Sequence, residues 1–309
     1  MKLIEWRIKT MIKEKRLFII LSALIIALSL VVTICGVCSF DMTRSYYVTN
    51  QYGEQIQIWG SGIYRHDTYF KVPIFVGSDL TVLVFVIPFA IFAFWKTIQE
   101  DSFENLLRSF SVVSLLLYYS ASISFGVTYN VLHLVYIALF GACFFGAGLL
   151  LAKLHSIAVQ EGETYSYHIT KGMKAFLLIA GLALCVAWLP DIISSLVKGT
   201  SLELIEVYTT EITYVLDMGI ISPLMFLTYG LIKRKDFMGY ILLRMSFLVC
   251  IGVGIMLPVQ SVFQLLSGYE VTIPVIVTKV AIFVLLAGFA SVFNYRLKKS
   301  TKKMESAAG

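Results

Sequence analysis

The sequence predicts an all-α integral membrane protein, a helical bundle of about eight transmembrane helices with a small exterior β-hairpin between the first two. Three observations carry that reading. The 309 residues are 58% hydrophobic and 14% charged, against about 25% charged in a soluble domain. Charge is missing from whole blocks: none lies between Arg16 and Asp41, between Arg108 and Lys153, or between Arg244 and Glu270. About 20 apolar residues cross a hydrocarbon core, so the block after Arg108 is long enough for two spans. Finally, the basic residues sort to one side of the spans so drawn.

Taken in order, a basic tail over 1–16 precedes a first span at 17–40. That span ends in "CGVCSFD", without a small-residue cleavage site, and reads as a retained helix rather than a signal peptide. The segment 41–78 is the one long exterior loop. Within it "YYVTNQYGEQIQIWG" alternates polar and apolar residues around Tyr52-Gly53, the pattern of a β-hairpin. The second span follows at 79–96, then the mixed-charge stretch "KTIQEDSFENLLRSF", read as a short interfacial helix. Spans at 108–128 and 130–152 are joined by "VTYN" as a tight antiparallel pair. The remaining spans fall at 174–197, 210–232, 238–262 and 274–295, and a second basic tail covers 296–309. The whole of 17–295 forms one transmembrane domain.

Nineteen of the 25 Lys and Arg residues then lie on the side of the two tails, and four (Arg44, Arg65, Lys71 and Lys198) lie opposite. Basic loops stay in the cytoplasm, so both termini are expected there, in a multi-pass protein of the plasma (inner) membrane. Trp95, Tyr229, Tyr240 and Tyr295 fall at inner boundaries, and Tyr129, Trp188, Tyr208 and Tyr269 at outer ones, as aromatic belts do. This sorting accounts for the net charge of +6 without nucleic acid as a partner. The expected partners are the lipid bilayer and a small-molecule or ion ligand.

Several function classes find no support. There is no Walker A sequence, no metal-ligand spacing and no nucleophile–base arrangement, so no catalytic residue, metal or cofactor is assigned. Cys35 and Cys38 form a C-x-x-C that ends a helix, whereas a redox pair opens one. Cys143, Cys185 and Cys250 read as core thiols. Small residues four apart, such as Ser246, Cys250 and Gly254, form stripes that let helices approach closely in lipid. Asp79 with Pro88 in the second span and Asp217 with Pro223 in the sixth hint at a four-plus-four repeat.

Four stretches, "GIYRHDTYF", "GSDLTVLVFVIPF", "LLYYSASISFGVTYNVLHLVYIALF" and "VLDMGIISP", carry a resemblance. Together they resemble a widespread group of bacterial polytopic membrane proteins without an assigned function. Its shared features are a G-x-Y-x-x-D stretch, here Gly62, Tyr64 and Asp67, an Asp opening the second span, here Asp79, and a Tyr/Ser-rich third span. The resemblance implies an integral membrane protein and no more.

The candidate site therefore rests on the charges inside the spans. An Asp, Lys or Arg at a helix centre costs about 2.5–3.5 kcal/mol on insertion scales and usually faces the bundle interior. Asp217 lies six residues past Glu211, roughly 9 Å below the outer boundary at 1.5 Å per residue. Lys279 is expected at a similar depth and is its expected partner. Asp79, Asn130 and His133 share the outer level, with Asp191 and Gln260. Either these form a polar pocket open to the exterior, or they are helix ends resting at the interface. Arg244 is expected to snorkel to the inner surface. The functional reading is a small-solute or ion transporter with Asp217, Lys279, Asp79, Asn130 and His133 at its site. Alternatives are a receptor or assembly module and, last, an intramembrane enzyme acting on a lipid-linked substrate.

Overall fold

The computed structural model describes residues 2–162, 165–269 and 280–303, with side chains from Glu14 onward. Among these, seven helical stretches of 22 to 30 residues are long and apolar enough to cross a membrane. They make the chain compatible with an all-α membrane bundle. Long unbroken helices are what an apolar environment selects, because they satisfy every backbone polar group internally.

α1 covers Lys2–Val37. The second stretch is α2 (Lys71–Thr81), a π turn (Val82–Val86) and α3 (Ile87–Gln99). α4 (Phe103–Gly126), α5 (His133–Glu161) and α6 (Lys171–Lys198) follow. The sixth stretch repeats the second: α7 (Ile212–Leu216), a π turn (Asp217–Ile221) and α8 (Ser222–Lys233). α9 spans Phe237–Leu266. α10 (Ile282–Ser300) covers only part of the expected eighth span, whose first residues lie outside the described set. α9 packs on α2, α4, α8 and α10, while α1 packs on α2 and α5 and α6 on α8. α4 carries a buried residue on nearly every turn, from Asn105 to Gly126, and stands at the centre of the bundle.

Strands β1 (Tyr46–Thr49) and β2 (Gln55–Ile58) pair antiparallel, Tyr46 opposite Ile58 and Thr49 opposite Gln55. Asn50 shapes the turn between them. Its Oδ1 accepts from the backbone N–H of Tyr52 (3.0 Å) and Glu54 (2.9 Å), a local bond that favours Asn in turns. Below the strands a small core of Trp59, Tyr64, Val72 and Val76 is fully buried. The Trp59 indole N–H donates to Ser39 O at the end of α1 (3.1 Å). Gly62 lets this cap close down on α1. Its φ is +66°, and an added Cβ would lie 2.5 Å from the Ser39 side chain. At the other end of the bundle, β3 (Tyr165–Ser166) pairs with β4 (Lys302–Lys303).

Three features differ from the sequence reading. The second helix begins at Lys71, not Asp79. Pro73 lies in its first turn, where a missing N–H costs nothing, so "KVPIFVGSD" is helix rather than loop. The stretch after Lys96 forms no separate interfacial helix. α3 runs to Gln99 and α4 starts at Phe103. Asn105 makes so short a break workable, because its Nδ2 donates to the carbonyls of Lys96 (3.3 Å) and Glu100 (3.0 Å) at the end of α3.

Arg244 is the third difference. It was expected in water, yet it is 8% exposed. Its guanidinium donates to Glu104 Oε1 (2.9 Å), Asn294 Oδ1 (2.7 Å) and the Tyr240 hydroxyl (2.9 Å). Long helical side chains lean toward the helix N-terminus, and here that direction ends on a carboxylate at the start of α4 instead of at solvent.

Candidate functional site

A cavity of about 590 Å³ opens between α2, α4, α6, the 212–233 helix, α9 and α10. Ligand pockets usually measure about 300–1,000 Å³. Its inner part is apolar, walled by Ala180, Met225, Val249, Met256, Phe283 and Leu286. Its other end is polar, with Lys71, Asp191, Glu203, Glu211 and Tyr269.

Asp217 stands in the wall between the two parts. It is 5% exposed and opens the π turn. Oδ1 accepts from the Tyr118 hydroxyl (2.9 Å) and Oδ2 from the Trp188 indole N–H (2.8 Å). Both donors are neutral. Trp188 stacks on Tyr214, with ring centroids 4.7 Å apart, and the Tyr214 hydroxyl donates to Asp191 (2.7 Å). Asp191 sits one residue after Pro190 on α6, so two acids and three aromatic rings meet near the polar end. On the opposite wall Gln260 Nε2 donates to Ser78 Oγ (2.7 Å).

The loop 199–211 closes over the polar end, contributing Leu202, Glu203, Tyr208 and Glu211 to the lining. It is pinned to the β cap and the start of α2. Lys71 pairs with Glu211, both largely buried. Thr68 Oγ1 donates to the Glu206 carboxylate and Asn50 Nδ2 to the Glu206 carbonyl (2.9 Å). Glu206 holds a left-handed backbone, φ +50°, uncommon outside glycine and Asn/Asp; these two bonds hold it there.

Asp67 locks the same corner. Fully buried, it accepts from Thr128 N–H (2.8 Å) and the Tyr208 hydroxyl (3.0 Å). It thereby joins the cap, the turn after α4 and the loop over the cavity. Burial pushes its carboxyl up to about 7, against the lowering effect of those bonds and of Lys71 nearby. Burial likewise raises Glu206, opposed by Thr68 and Lys71.

The other predicted site residues separate. Asp79 lies about two turns inside a helix, at 0% exposure. It accepts from the Tyr64 hydroxyl (2.6 Å) and from the Tyr119 hydroxyl. Gly36 of α1 seals it, since a Cβ there would lie 1.7 Å from Asp79 Oδ2. Asp79 does not line the cavity. Asn130 caps the entry to α5, accepting from Leu132 N–H (2.9 Å) and donating to the Tyr136 hydroxyl (3.2 Å). His133 opens α5 and lies against the Tyr129 ring at 5.3 Å. Neither lines the cavity. Lys279, the expected partner of Asp217, lies outside the described residues. Among the described residues no group of three or more His, Cys, Asp or Glu could hold a metal ion.

Tyr118, Trp188, Lys71 and Glu211 were not singled out from sequence. The Tyr118-Tyr119 pair was the available signal. Two adjacent phenols in the middle of an apolar helix need acceptors, and here they find two different acids. Comparison with protein families, with characterised proteins and with solved structures finds no match to the chain.

Proposed function

We propose that this is a plasma-membrane protein that captures a small ligand from the exterior in the cavity beside Asp217, with both termini cytoplasmic. The carrying observation is the shape of the lining. Polar groups gather at the end under the 199–211 loop. Beyond Pro223, the 212–233 helix adds only the apolar Met225 to the described wall. That is a cup, and it favours a receptor or binding module over an open conduit.

Transport is the second reading, and one observation favours it. Three of the helical stretches at the cavity carry a proline beyond their first turn, Pro190, Pro223 and Pro258, and the 212–233 helix also carries a π turn beside Asp217. Interrupted helices of this kind border the sites of many transporters. Accessibility separates the readings. With the native cysteines replaced by Ser, Ser122→Cys places one thiol on the cavity wall. A membrane-impermeant thiol reagent should label it from the exterior alone. Labelling from both sides would overturn the cup in favour of transport. Labelling from neither would overturn an accessible site altogether.

A further inference from the structure

We propose that the ligand of this cavity is an organic cation, an ammonium headgroup carrying an apolar tail. This rests on the capture reading above and names its substrate class. Besides Asp191, which is engaged by partners of its own, the described lining holds three carboxylates, Glu203, Glu211 and Asp217, and one base, Lys71. Lys71 is already committed to Glu211.

Asp217 decides the sign at depth. Its oxygens take two neutral donors, and none of the ion pairs among the described residues includes it. A carboxylate inside a membrane span is costly unless a positive charge approaches it. Neutral hydrogen bonds orient the group without cancelling its charge. An anionic ligand would add a second negative charge where the dielectric is low. An ammonium would instead complete the site.

The walls suit an alkylated ammonium better than a bare metal ion. Tyr118 and Trp188 hold the carboxylate, Tyr214 stacks on Trp188, and all three line the cavity; aromatic faces attract organic cations within about 6 Å of the ring centre. A hydrated metal ion needs several oxygen ligands, whereas Asp217 offers one carboxylate among rings. The apolar depth, with Met225, Val249, Met256 and Phe283, takes the tail. At the mouth, Glu203 adds negative potential that draws cations inward.

The test uses purified full-length protein in a non-ionic detergent and three probes of one shape. These are hexyltrimethylammonium, its neutral isostere with carbon in place of nitrogen, and an alkyl sulfonate of equal chain length. Thermal shift and competition against the thiol reagent at Ser122→Cys both read binding. The ammonium should bind at least about tenfold more tightly than the isostere, the range of a charge-assisted contact, and the sulfonate should bind least. Asp217→Asn keeps the shape and should erase that preference. Equal binding of ammonium and isostere would overturn the cation assignment while leaving capture intact, as when Lys279 already neutralises Asp217. Preference for the sulfonate would overturn it too. If no probe protects the Ser122→Cys thiol, the capture reading falls with it. The isostere comparison is made on the native chain, so it stands even if Asp217→Asn fails to fold.

Discussion

Asp67 shows how one carboxylate can set a pH dependence. An unfolded Asp titrates near 3.9, while Asp67 in the folded protein titrates at about 7. Between those values the folded state holds more protons than the unfolded one, so stability falls as pH rises through the window from about 4 to 7. Above it the penalty is constant. The slope is on the order of 1 kcal/mol per pH unit. Purified protein should therefore melt at a higher temperature at pH 5 than at pH 8. Asp67→Asn can still accept from Thr128 N–H and the Tyr208 hydroxyl, and should flatten that difference. An unchanged difference in the variant would assign it elsewhere. The residue scale was only half legible in the sequence. Depth counted along one helix singled out Asp217, which is buried on the cavity wall. The partners of Asp217 were hidden because Tyr118 sits in an apolar run, where an aromatic residue looks like core, and because Trp188 fits an outer aromatic belt equally well. Their direction is set by how α4 and α6 are turned, which no single run encodes.

At the scale of elements, the two interrupted helices share a cause. In each the π turn ends two residues before a proline, at Val86 before Pro88 and at Ile221 before Pro223. Proline offers no N–H to the carbonyl four residues earlier and crowds it, here Val84 and Gly219. A wider turn relieves both problems without ending the helix. The acids do not share the register: Asp79 precedes its π turn, whereas Asp217 begins one. Proline spacing thus explains the resemblance between the two halves that the sequence hinted at, and acid placement does not. Arg244 acts at this scale as well, tying α9 to the start of α4 and to α10 through Glu104 and Asn294. Arg244→Gln would leave Glu104 with Lys298 alone, at 3.4 Å. Thermal unfolding should show a loss of about 2–3 kcal/mol, discounted from a fully buried pair because Glu104 is 33% exposed. A negligible loss would mean that water replaces the pair. The sequence placed Arg244 two turns from a helix end but could not supply Glu104, because the α3–α4 break depends on the Asn105 side chain.

For the whole molecule, composition and charge-free blocks made the membrane bundle legible before any contact was known. Helix ends were the weak point, since polar residues near a boundary look alike whether helical or not. The sequence reading keeps Lys71 to Ser78 in the exterior loop and opens the second span at Asp79, with Asp79 a candidate for the outer polar pocket, whereas the helix starts at Lys71 and Asp79 lies inside it, off the cavity. The proposed orientation has a direct test. Reporter fusions after Gly309 and within 153–173 should both report the cytoplasm, because nineteen bases lie on that side. An exterior signal at either position would reverse or break the topology.

Tyr118 and Tyr119 are neighbours on one helix, about 100° apart around its axis, and each holds an acid on a different partner. Tyr118 reaches Asp217 on the cavity wall, and Tyr119 reaches Asp79, which in turn holds Tyr64 of the cap. α4 therefore works as a spindle. A rotation of the α4 backbone at this level is shared by both phenols, so the Asp217 contact on the cavity wall and the Asp79–Tyr64 contact with the cap hang on the same turn of one helix.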